Sequence, residues 1–199
     1  MAVKSSLEKI LDKHHVELGQ LQSQSIGWFQ GQVKSMVSNV GIRRPENLMR
    51  GDQAYKTGKI QPGNMYMFIY DPKHKETLPY YDIFPLVFPF KGVEGGFLGI
   101  NLHYLPYFLR AQLMSSLMEN KTPGLNEKTK LEISWAKLTA LSKHALIKPC
   151  VKHYLYPHVQ TPFKRIIAED WATAMLLPAE KFQKQSSLQV WADSIKKIR

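Results

Sequence analysis

The sequence has little cysteine and no long hydrophobic run. Its single cysteine, Cys150, cannot form a disulfide within the chain, so an oxidising compartment is not implied. The longest apolar stretch, Phe84 to Phe90, is broken by Pro85 and Pro89 and is far shorter than the roughly 18 residues that a transmembrane helix needs. The first residues, Met1 to Ser5, lack an apolar signal core. We therefore expect a cytoplasmic or assembled protein without a membrane partner.

Common catalytic motifs are also missing. A glycine-rich stretch runs from Gly92 to Gly99, but it lacks the Gly-Lys-Ser/Thr ending of a phosphate-binding loop, and Glu94 would repel phosphate. A hairpin turn is the simpler interpretation. No Gly-x-Ser-x-Gly elbow is present, so a serine hydrolase of that type is not indicated. Cys150 with a neighbouring histidine could form a nucleophile pair, although a single buried thiol is more often a core residue.

Metal ligands are sparse. Cys150, His153 and His158, with His144 nearby, are the only cluster, and their spacing matches no recognised zinc finger. Lysines on both sides of Cys150 would oppose a cation. We expect no metal site and no cofactor.

Three carboxylates in the centre of the chain allow a nuclease hypothesis. Asp71, Asp82 and Glu94 could converge on a metal ion, but no lysine follows them in the spacing usual for that chemistry. Asp71 and Asp82 are more simply explained as hydrogen-bond acceptors in a turn and at a strand end. We expect a protein without catalytic residues of its own, and keep the metal-dependent nuclease as a distant alternative.

Positive charge is abundant and uneven. The formal net charge is +11. Residues 1–60 carry a net +4, residues 61–102 a net −1 and residues 103–199 a net +8. Basic flanks around a near-neutral centre attract polyanions such as nucleic acid, or acidic protein surfaces. The alternative is that the excess lysine only keeps the protein soluble.

Two groups of basic residues are candidates for polyanion binding because aromatic side chains lie among them. Arginine and lysine neutralise phosphates, and exposed aromatic rings stack on bases. The candidates are Arg43, Arg44 and Arg50, near Tyr55, and Lys148, Lys152, Lys164 and Arg165, which interleave with Tyr154, Tyr156 and Phe163. The tyrosines could equally be core residues.

The predicted organisation has three parts: an N-terminal helical arm over residues 1–41, a basic linker over residues 42–63, and an α+β core with a C-terminal helix over residues 64–199. Ser5 and Glu8 have the spacing of a capping box. Apolar residues then recur at steps of three and four, as in a coiled-coil seam. The predicted protein-interface residues of this arm are Leu7, Leu11, Leu18 and Leu21; the alternative is that they pack on the protein's own core.

The centre of the chain is rich in β-forming residues. Strands are predicted over residues 64–70, 84–90 and 97–102, with a tight turn at residues 93–96. Pro85 and Pro89 cannot donate to a ladder, which suits an edge or a bulged strand. Short turns between consecutive strands predict an antiparallel meander or a small barrel.

Helices dominate after His103. They are predicted from Pro106 to about Glu119 and from Lys128 to Leu146, and residues 166–177 form an apolar segment for which helix and strand are both open. Ser186 or Ser187 caps a last helix that carries an apolar stripe. The predicted interface residues of this stripe are Leu188, Trp191 and Ile195, followed by Ile198, and they would dock on a neighbouring subunit. The fold class is thus α+β, with the β-centre flanked by the N-terminal arm and C-terminal helices.

Four sequence blocks resemble a family encoded by large contractile-tailed bacteriophages. They span residues 70–89, 96–106, 171–182 and 190–194, within the C-terminal two-thirds of the chain. The members of this family resemble virion or DNA-handling proteins carried beside the structural genes. The resemblance implies a phage setting and transfers no catalytic residue.

The leading hypothesis from the sequence is a non-enzymatic phage structural or assembly protein of the tail, baseplate or neck. Its partners would be other phage structural subunits, and it would lie in the virion, and in the host cytoplasm during assembly. The alternative is a DNA-binding protein that acts on phage genome ends or packaging, with double-stranded DNA as partner.

Overall fold

The computed structural model describes residues 55–57, 60–118, 127–166, 171–176 and 179–197. The predicted N-terminal helical arm and most of the predicted linker lie outside these residues. So do seven of the predicted site residues: Leu7, Leu11, Leu18, Leu21, Arg43, Arg44 and Arg50.

The described part of the chain contains a six-stranded antiparallel sheet with strand order β1-β7-β2-β4-β5-β6. Its strands are β1 (Tyr55–Thr57), β2 (Met65–Met67), β4 (Leu86–Val93), β5 (Gly96–Asn101), β6 (Val151–Leu155) and β7 (Phe163–Ile166). A separate two-stranded sheet pairs β3 (Tyr81–Asp82) with β8 (Phe182–Gln183). The predicted α+β class is confirmed, but the large sheet is open, with β1 and β6 at its edges, so the barrel alternative was wrong.

The proline-containing strand β4 lies in the middle of the sheet, between β2 and β5. Its register with β5 shifts between Pro89 and Lys91. A shift of this kind accommodates a residue that cannot donate to the ladder. The bulged-strand prediction is confirmed, and the edge-strand alternative was wrong.

Strand β1 lies inside the segment that was predicted to be a basic linker. Tyr55, Lys56 and Thr57 pair with Arg165, Lys164 and Phe163 of β7. Glycine and proline on either side of residues 55–57 made this segment resemble a loop. The linker prediction is therefore wrong for these three residues.

Four α-helices are described: α1 (Tyr107–Met118), α2 (Glu127–Leu141), α3 (Trp171–Leu176) and α4 (Ser187–Lys196). Helices α1 and α2 match the predictions in position, although α2 ends five residues earlier than expected. Ser186 caps α4, since its hydroxyl accepts a hydrogen bond from the backbone N–H of Gln189. Among the described residues, no helix is both long and apolar enough to cross a bilayer.

The two faces of the large sheet carry different cores. On one face, residues of β2, β4 and β5 pack with Leu109 and Leu113 of α1, Leu138 of α2 and Trp171 of α3. The other face is a mostly aromatic cluster in which the rings meet mainly edge to face. Its buried members are Tyr66, Phe68, Tyr70, Val87, Phe97, Tyr154 and Phe163. Tyr70 and Tyr154 belong to this cluster, and both also line a neighbouring cleft.

Candidate nucleic-acid interface

A cleft of about 400 Å³ opens where three distant parts of the chain meet. Its walls come from the turn that follows Tyr70, from β6 with the adjoining end of β5, and from the end of α4. The residues that line it are Tyr70, Pro72, Lys73, His74, Leu78, Pro79, Tyr80, Tyr81, Asp82, Asn101, Tyr104, Lys152, His153, Tyr154, Leu155 and Lys197. Five of them are tyrosines, so the walls are largely aromatic.

The ionisable groups of the cleft are mostly basic. Lys73, Lys152 and Lys197 contribute ammonium groups, and His74 and His153 contribute imidazoles. Asp82 is the one acid among the described lining residues. A concave surface of this charge concentrates anionic ligands.

Lys152 is the most perturbed cation of the cleft. Its side chain is partly buried, and its ammonium nitrogen lies 3.9 Å from the centroid of the Tyr104 ring, within cation–π range. Burial lowers the pKa of Lys152 to about 8, the charge of Lys197 adds to that decrease, and Cys150 acts in the opposite direction. The positive charge of Lys152 is therefore poorly stabilised by its surroundings, because burial removes water and Lys197 carries a like charge.

Lys197, just after α4, approaches the same place from another element. Its ammonium nitrogen is 5.8 Å from the centroid of the Tyr80 ring, and the ring centroids of Tyr80 and Tyr104 are 6.1 Å apart. Two lysines thus lie over two neighbouring tyrosines. The packing of α4 on the core brings Lys197, which follows this helix, to the cleft.

Asp82 belongs to a buried polar network below the cleft. Its Oδ2 atom lies 2.7 Å from Nδ1 of His103 and accepts a hydrogen bond from Asn101. Its Oδ1 atom accepts hydrogen bonds from the backbone N–H of Phe84 and, at 3.3 Å, of Lys181. Burial acts to raise the pKa of Asp82, but the charge and hydrogen bond of His103, with the bonds from Phe84 and Asn101, outweigh it, so the pKa lies below its usual value. Since these partners satisfy the carboxylate, it opposes an anion in the cleft less than a free carboxylate would.

The basic turn at the cleft rim is held in place by a lysine from the other end of the chain. The ammonium group of Lys184 donates to the carbonyl oxygens of Lys75, Glu76 and Leu78 at 2.7, 2.9 and 3.0 Å. All three donors of one ammonium group are therefore used on this turn. Lys184 itself has φ 71°, an uncommon conformation for a residue other than glycine. This contact positions Lys73 and His74 beside the cleft.

Among the predicted polyanion-binding residues of the described chain, only Lys152 lines the cleft. Lys148 is exposed and begins the 3-10 turn (Lys148–Cys150) that precedes β6. Lys164 is 5% exposed, and Arg165 is partly buried. Both lie on β7, which is paired on both sides. The assignment of Lys164 to a polyanion-binding surface was therefore wrong, because alternation along β7 places its side chain on the same face as Ile166 and its pairing partner Met67, which belong to the helix-covered core.

The predicted docking stripe on α4 is not a continuous exposed surface. Leu188 is 60% exposed, but Trp191 is only 5% exposed, and its indole N–H donates to the carbonyl oxygen of His103 at 2.8 Å. Ile195 is partly buried, and Ile198 lies outside the described residues. The buried face of α4 consists of Val190, Trp191 and Ser194. Trp191 therefore packs on its own chain, and its assignment to a subunit interface was wrong.

The residues considered for metal or nucleophile chemistry do not come together. Within the described ranges, no group of three or more His, Cys, Asp or Glu side chains could hold a metal ion. Asp71 instead pairs with Lys75 at 2.9 Å, while Asp82 is enclosed by the network described above. Cys150 is buried, and burial raises the pKa of its thiol to about 12, so the thiol stays protonated at neutral pH.

Sequence reasoning missed several residues of the cleft: Lys73, His74, Tyr80, Tyr104, His153 and Lys197. The turn sequence Pro72-Lys-His-Lys75 was a local concentration of positive charge that could have been noted. Lys197 lies at the end of the last predicted helix, where a cation is also explained by its favourable interaction with the helix dipole. No spacing in the sequence indicates that the two segments meet.

The cleft combines the two features that single-stranded nucleic-acid sites share, namely cations for phosphates and aromatic rings for bases, which makes nucleic-acid binding the class of function that the site favours. The comparison with protein families agrees with that class. Residues 2–194 match the model of the phage T4 terminal DNA protecting protein, and the chain belongs to this family. No curated protein and no solved structure matches the chain.

Family membership confirms the phage setting that the sequence blocks implied, and of the two kinds of protein that the blocks resemble, virion and DNA-handling proteins, it supports the DNA-handling kind. It also favours one of the two functional hypotheses over the other. A terminal DNA protecting family fits action on genome ends, which was the alternative, better than a structural role in the tail, baseplate or neck.

Proposed function

We propose that this protein binds the ends of linear phage DNA and shields them from nucleases that start at an end. The family match over residues 2–194 is the observation that carries the proposal. The cationic, tyrosine-walled cleft and the net charge of +11 support it, because the charge attracts DNA from solution and the cleft offers a specific place for it.

The protein protects a DNA end by occupying it, and it does not need to catalyse a reaction. A nuclease that threads or grips a DNA terminus must displace whatever already occupies it. The three ammonium groups and the aromatic walls of the cleft provide binding energy, and no covalent step is needed. The protein would act wherever phage DNA has free ends, in the virion and in the host cytoplasm. Contacts with structural subunits would then keep it beside the genome.

The test uses one DNA in two forms. Linear duplex DNA is mixed with the protein and treated with a processive exonuclease that requires an end, while the same DNA as a nicked circle is treated with an endonuclease. We expect the protein to slow degradation of the linear form strongly and to leave endonuclease cutting nearly unchanged. Equal degradation of linear DNA with and without saturating protein would contradict the proposal.

Binding should also depend steeply on salt. Each phosphate contact that releases a counterion contributes a slope of about −0.9 in a plot of log affinity against log salt for duplex DNA. Replacing Lys152 and Lys197 by glutamine should reduce the magnitude of that slope by about 1 to 2. The matched control replaces Lys91 and Lys143, two exposed lysines outside the cleft, and should preserve exonuclease protection.

A further inference from the structure

The cations of the cleft have no acidic partner among the residues that the structure describes. Within the described part of the chain, no carboxylate oxygen lies within 4.0 Å of the ammonium groups of Lys73, Lys152 or Lys197. Lys152 and Lys197 line the same cleft and lie over neighbouring tyrosine rings, so their like charges repel each other. An anion placed between them would relieve this repulsion, and it would do so more strongly the more negative charge it concentrates in a small volume.

The size of the cleft limits what that anion can be. A volume of about 400 Å³ lies at the lower end of the range for small-molecule sites, roughly 300–1,000 Å³. It accommodates one nucleotide but not a base pair with its two backbones. A duplex end can therefore enter only by releasing its last nucleotide from the stack, which is least costly at a terminus or an overhang. Apolar contact with the wall of the cleft, where Tyr81 is the most exposed of the five tyrosines, then replaces part of the lost stacking.

A DNA end can carry a group with the concentrated negative charge that these cations require, namely a terminal phosphate. An internal phosphodiester carries one negative charge, whereas a terminal phosphate monoester carries about −1.5 to −2 at neutral pH and offers three acceptor oxygens. Lys152 and Lys197 approach the cleft from two different elements, and Lys73 adds a third from the rim turn. A group with three acceptor oxygens can satisfy cations that arrive from several directions.

We propose that the cleft binds the terminal phosphate monoester of a DNA strand, with the nucleotide that carries it unpaired and held against the tyrosines. This inference rests on the proposed function, since it specifies which part of the DNA end is recognised. It also gives a physical reason why an end is preferred over internal DNA, because the interior of a strand contains no monoester.

The test compares oligonucleotide hairpins that have a single open end and differ only in that end. One carries a 5′-phosphate, one a 3′-phosphate and one hydroxyl groups at both positions. Fluorescence anisotropy with the full-length protein should show that one of the two phosphorylated hairpins binds about tenfold or more tightly than the hydroxyl form, as expected for loss of charge-assisted hydrogen bonds. Which phosphate is preferred identifies the strand end. Equal affinity for all three hairpins would overturn the inference.

Variants assign the effect to the cleft. The Lys152→Gln/Lys197→Gln protein should lose the preference for phosphate, while the Lys91→Gln/Lys143→Gln protein should keep it. Thermal unfolding of both proteins establishes that each is folded before binding is compared. A double cleft variant that is folded and still prefers phosphate would place the site elsewhere. A nucleoside monophosphate should compete with the phosphorylated hairpin, and the corresponding nucleoside should not.

The outcomes separate this inference from the proposed function. Protection of linear DNA that is independent of the end phosphate and of both cleft lysines would refute the inference and leave the proposed function standing. Phosphate-dependent binding in the cleft without any protection of linear DNA would refute the proposed function and leave the inference standing.

Discussion

The ammonium nitrogen of Lys152 lies 3.9 Å from the ring centroid of Tyr104, so a partly buried cation rests on an aromatic face inside the cleft. Lys152 is placed there by β6, and Tyr104 follows β5, the strand that pairs with β6. The contact is therefore a consequence of sheet pairing and does not depend on a flexible loop.

The affinity for a phosphorylated DNA end should decrease as the pH rises above about 8. Because the pKa of Lys152 is lowered to about 8, the free protein loses this charge at higher pH, whereas a bound phosphate requires it. The decrease can reach about tenfold per pH unit for one proton. Anisotropy titrations between pH 7.5 and 9 measure it. The groups that face Lys152 are Tyr104, Cys150 and Lys197.

Lys152→Arg serves as the control for this pH dependence. An arginine keeps its charge throughout the range, so the curve should become nearly flat above pH 8. A wild-type curve that is equally flat would show that Lys152 does not contact the phosphate.

The replacement Asp82→Asn should destabilise the fold by about 3 kcal/mol at pH 7, because it leaves buried groups of the His103 network without their charged acceptor. The pKa of Asp82 is lowered in the folded protein, so its contribution is complete above the unfolded value, near 3.9, and is lost as the pH falls through the folded value. The stability difference between the two proteins should therefore shrink only in strongly acidic solution.

Urea unfolding at several pH values measures this difference. Asp71→Asn is the matched control, since Asp71 and its partner Lys75 have side chains that are 48% and 42% exposed, and exposed pairs contribute at most about 1 kcal/mol. An Asp82→Asn protein as stable as the control variant would contradict the network described here.

Arg110→Lys should destabilise the protein by about 3 kcal/mol or more, as expected when a buried charge loses its partners. The Arg110 guanidinium is fully buried. It donates to the carbonyl oxygens of Leu105, Met175 and His103, and lies 3.5 Å from Glu180. A lysine has three donors but no planar fork that reaches these positions together. Chemical denaturation measures the loss, and Lys143→Arg, at an exposed site, should be neutral. A change below about 1 kcal/mol would contradict the prediction.

Lys184→Met should loosen the basic turn of the cleft without touching the cleft itself. Removing the ammonium group leaves the carbonyl oxygens of Lys75, Glu76 and Leu78 without their donor. We expect faster amide hydrogen exchange over residues 73–79 and weaker binding of DNA ends, with little change in global stability because the contact is exposed. Unchanged amide exchange over residues 73–79 would show that the Lys184 contact does not hold this turn in place. The control variant is Lys143→Met, at an exposed site outside the cleft.

Local features of the fold were predictable from the sequence. Ser186 caps α4 because its hydroxyl lies three residues from the N–H that it satisfies, a relationship contained within one helical turn. The bulge at Pro89 follows from the missing N–H of proline, and the turn at Gly95, with φ 69°, follows from the conformational freedom of glycine. The phage setting could likewise be inferred from sequence blocks.

Other features required the tertiary structure. Lys164 is basic and lies near aromatic residues, as a DNA contact would, yet it is 5% exposed, because its side chain lies on the face of the sheet that the helices cover. Trp191 lies on an apolar stripe that could face either a partner or the core, and its hydrogen bond to His103 shows that it faces the core. Periodicity identifies an apolar face of a helix but not what covers it.

The sequence by itself therefore determined the α+β class, a serine cap on the last helix and the excess of positive charge, and it restricted the proline-containing strand to an edge or a bulge, since each depends on composition or on residues a few positions apart. Only the tertiary structure decided which of the cations line the same cleft. The pairing of β5 with β6 and the packing of α4 bring Lys73, Lys152 and Lys197 to one cleft from segments far apart in the chain. Contacts over such separations depend on the whole packed core, and no local pattern encodes them.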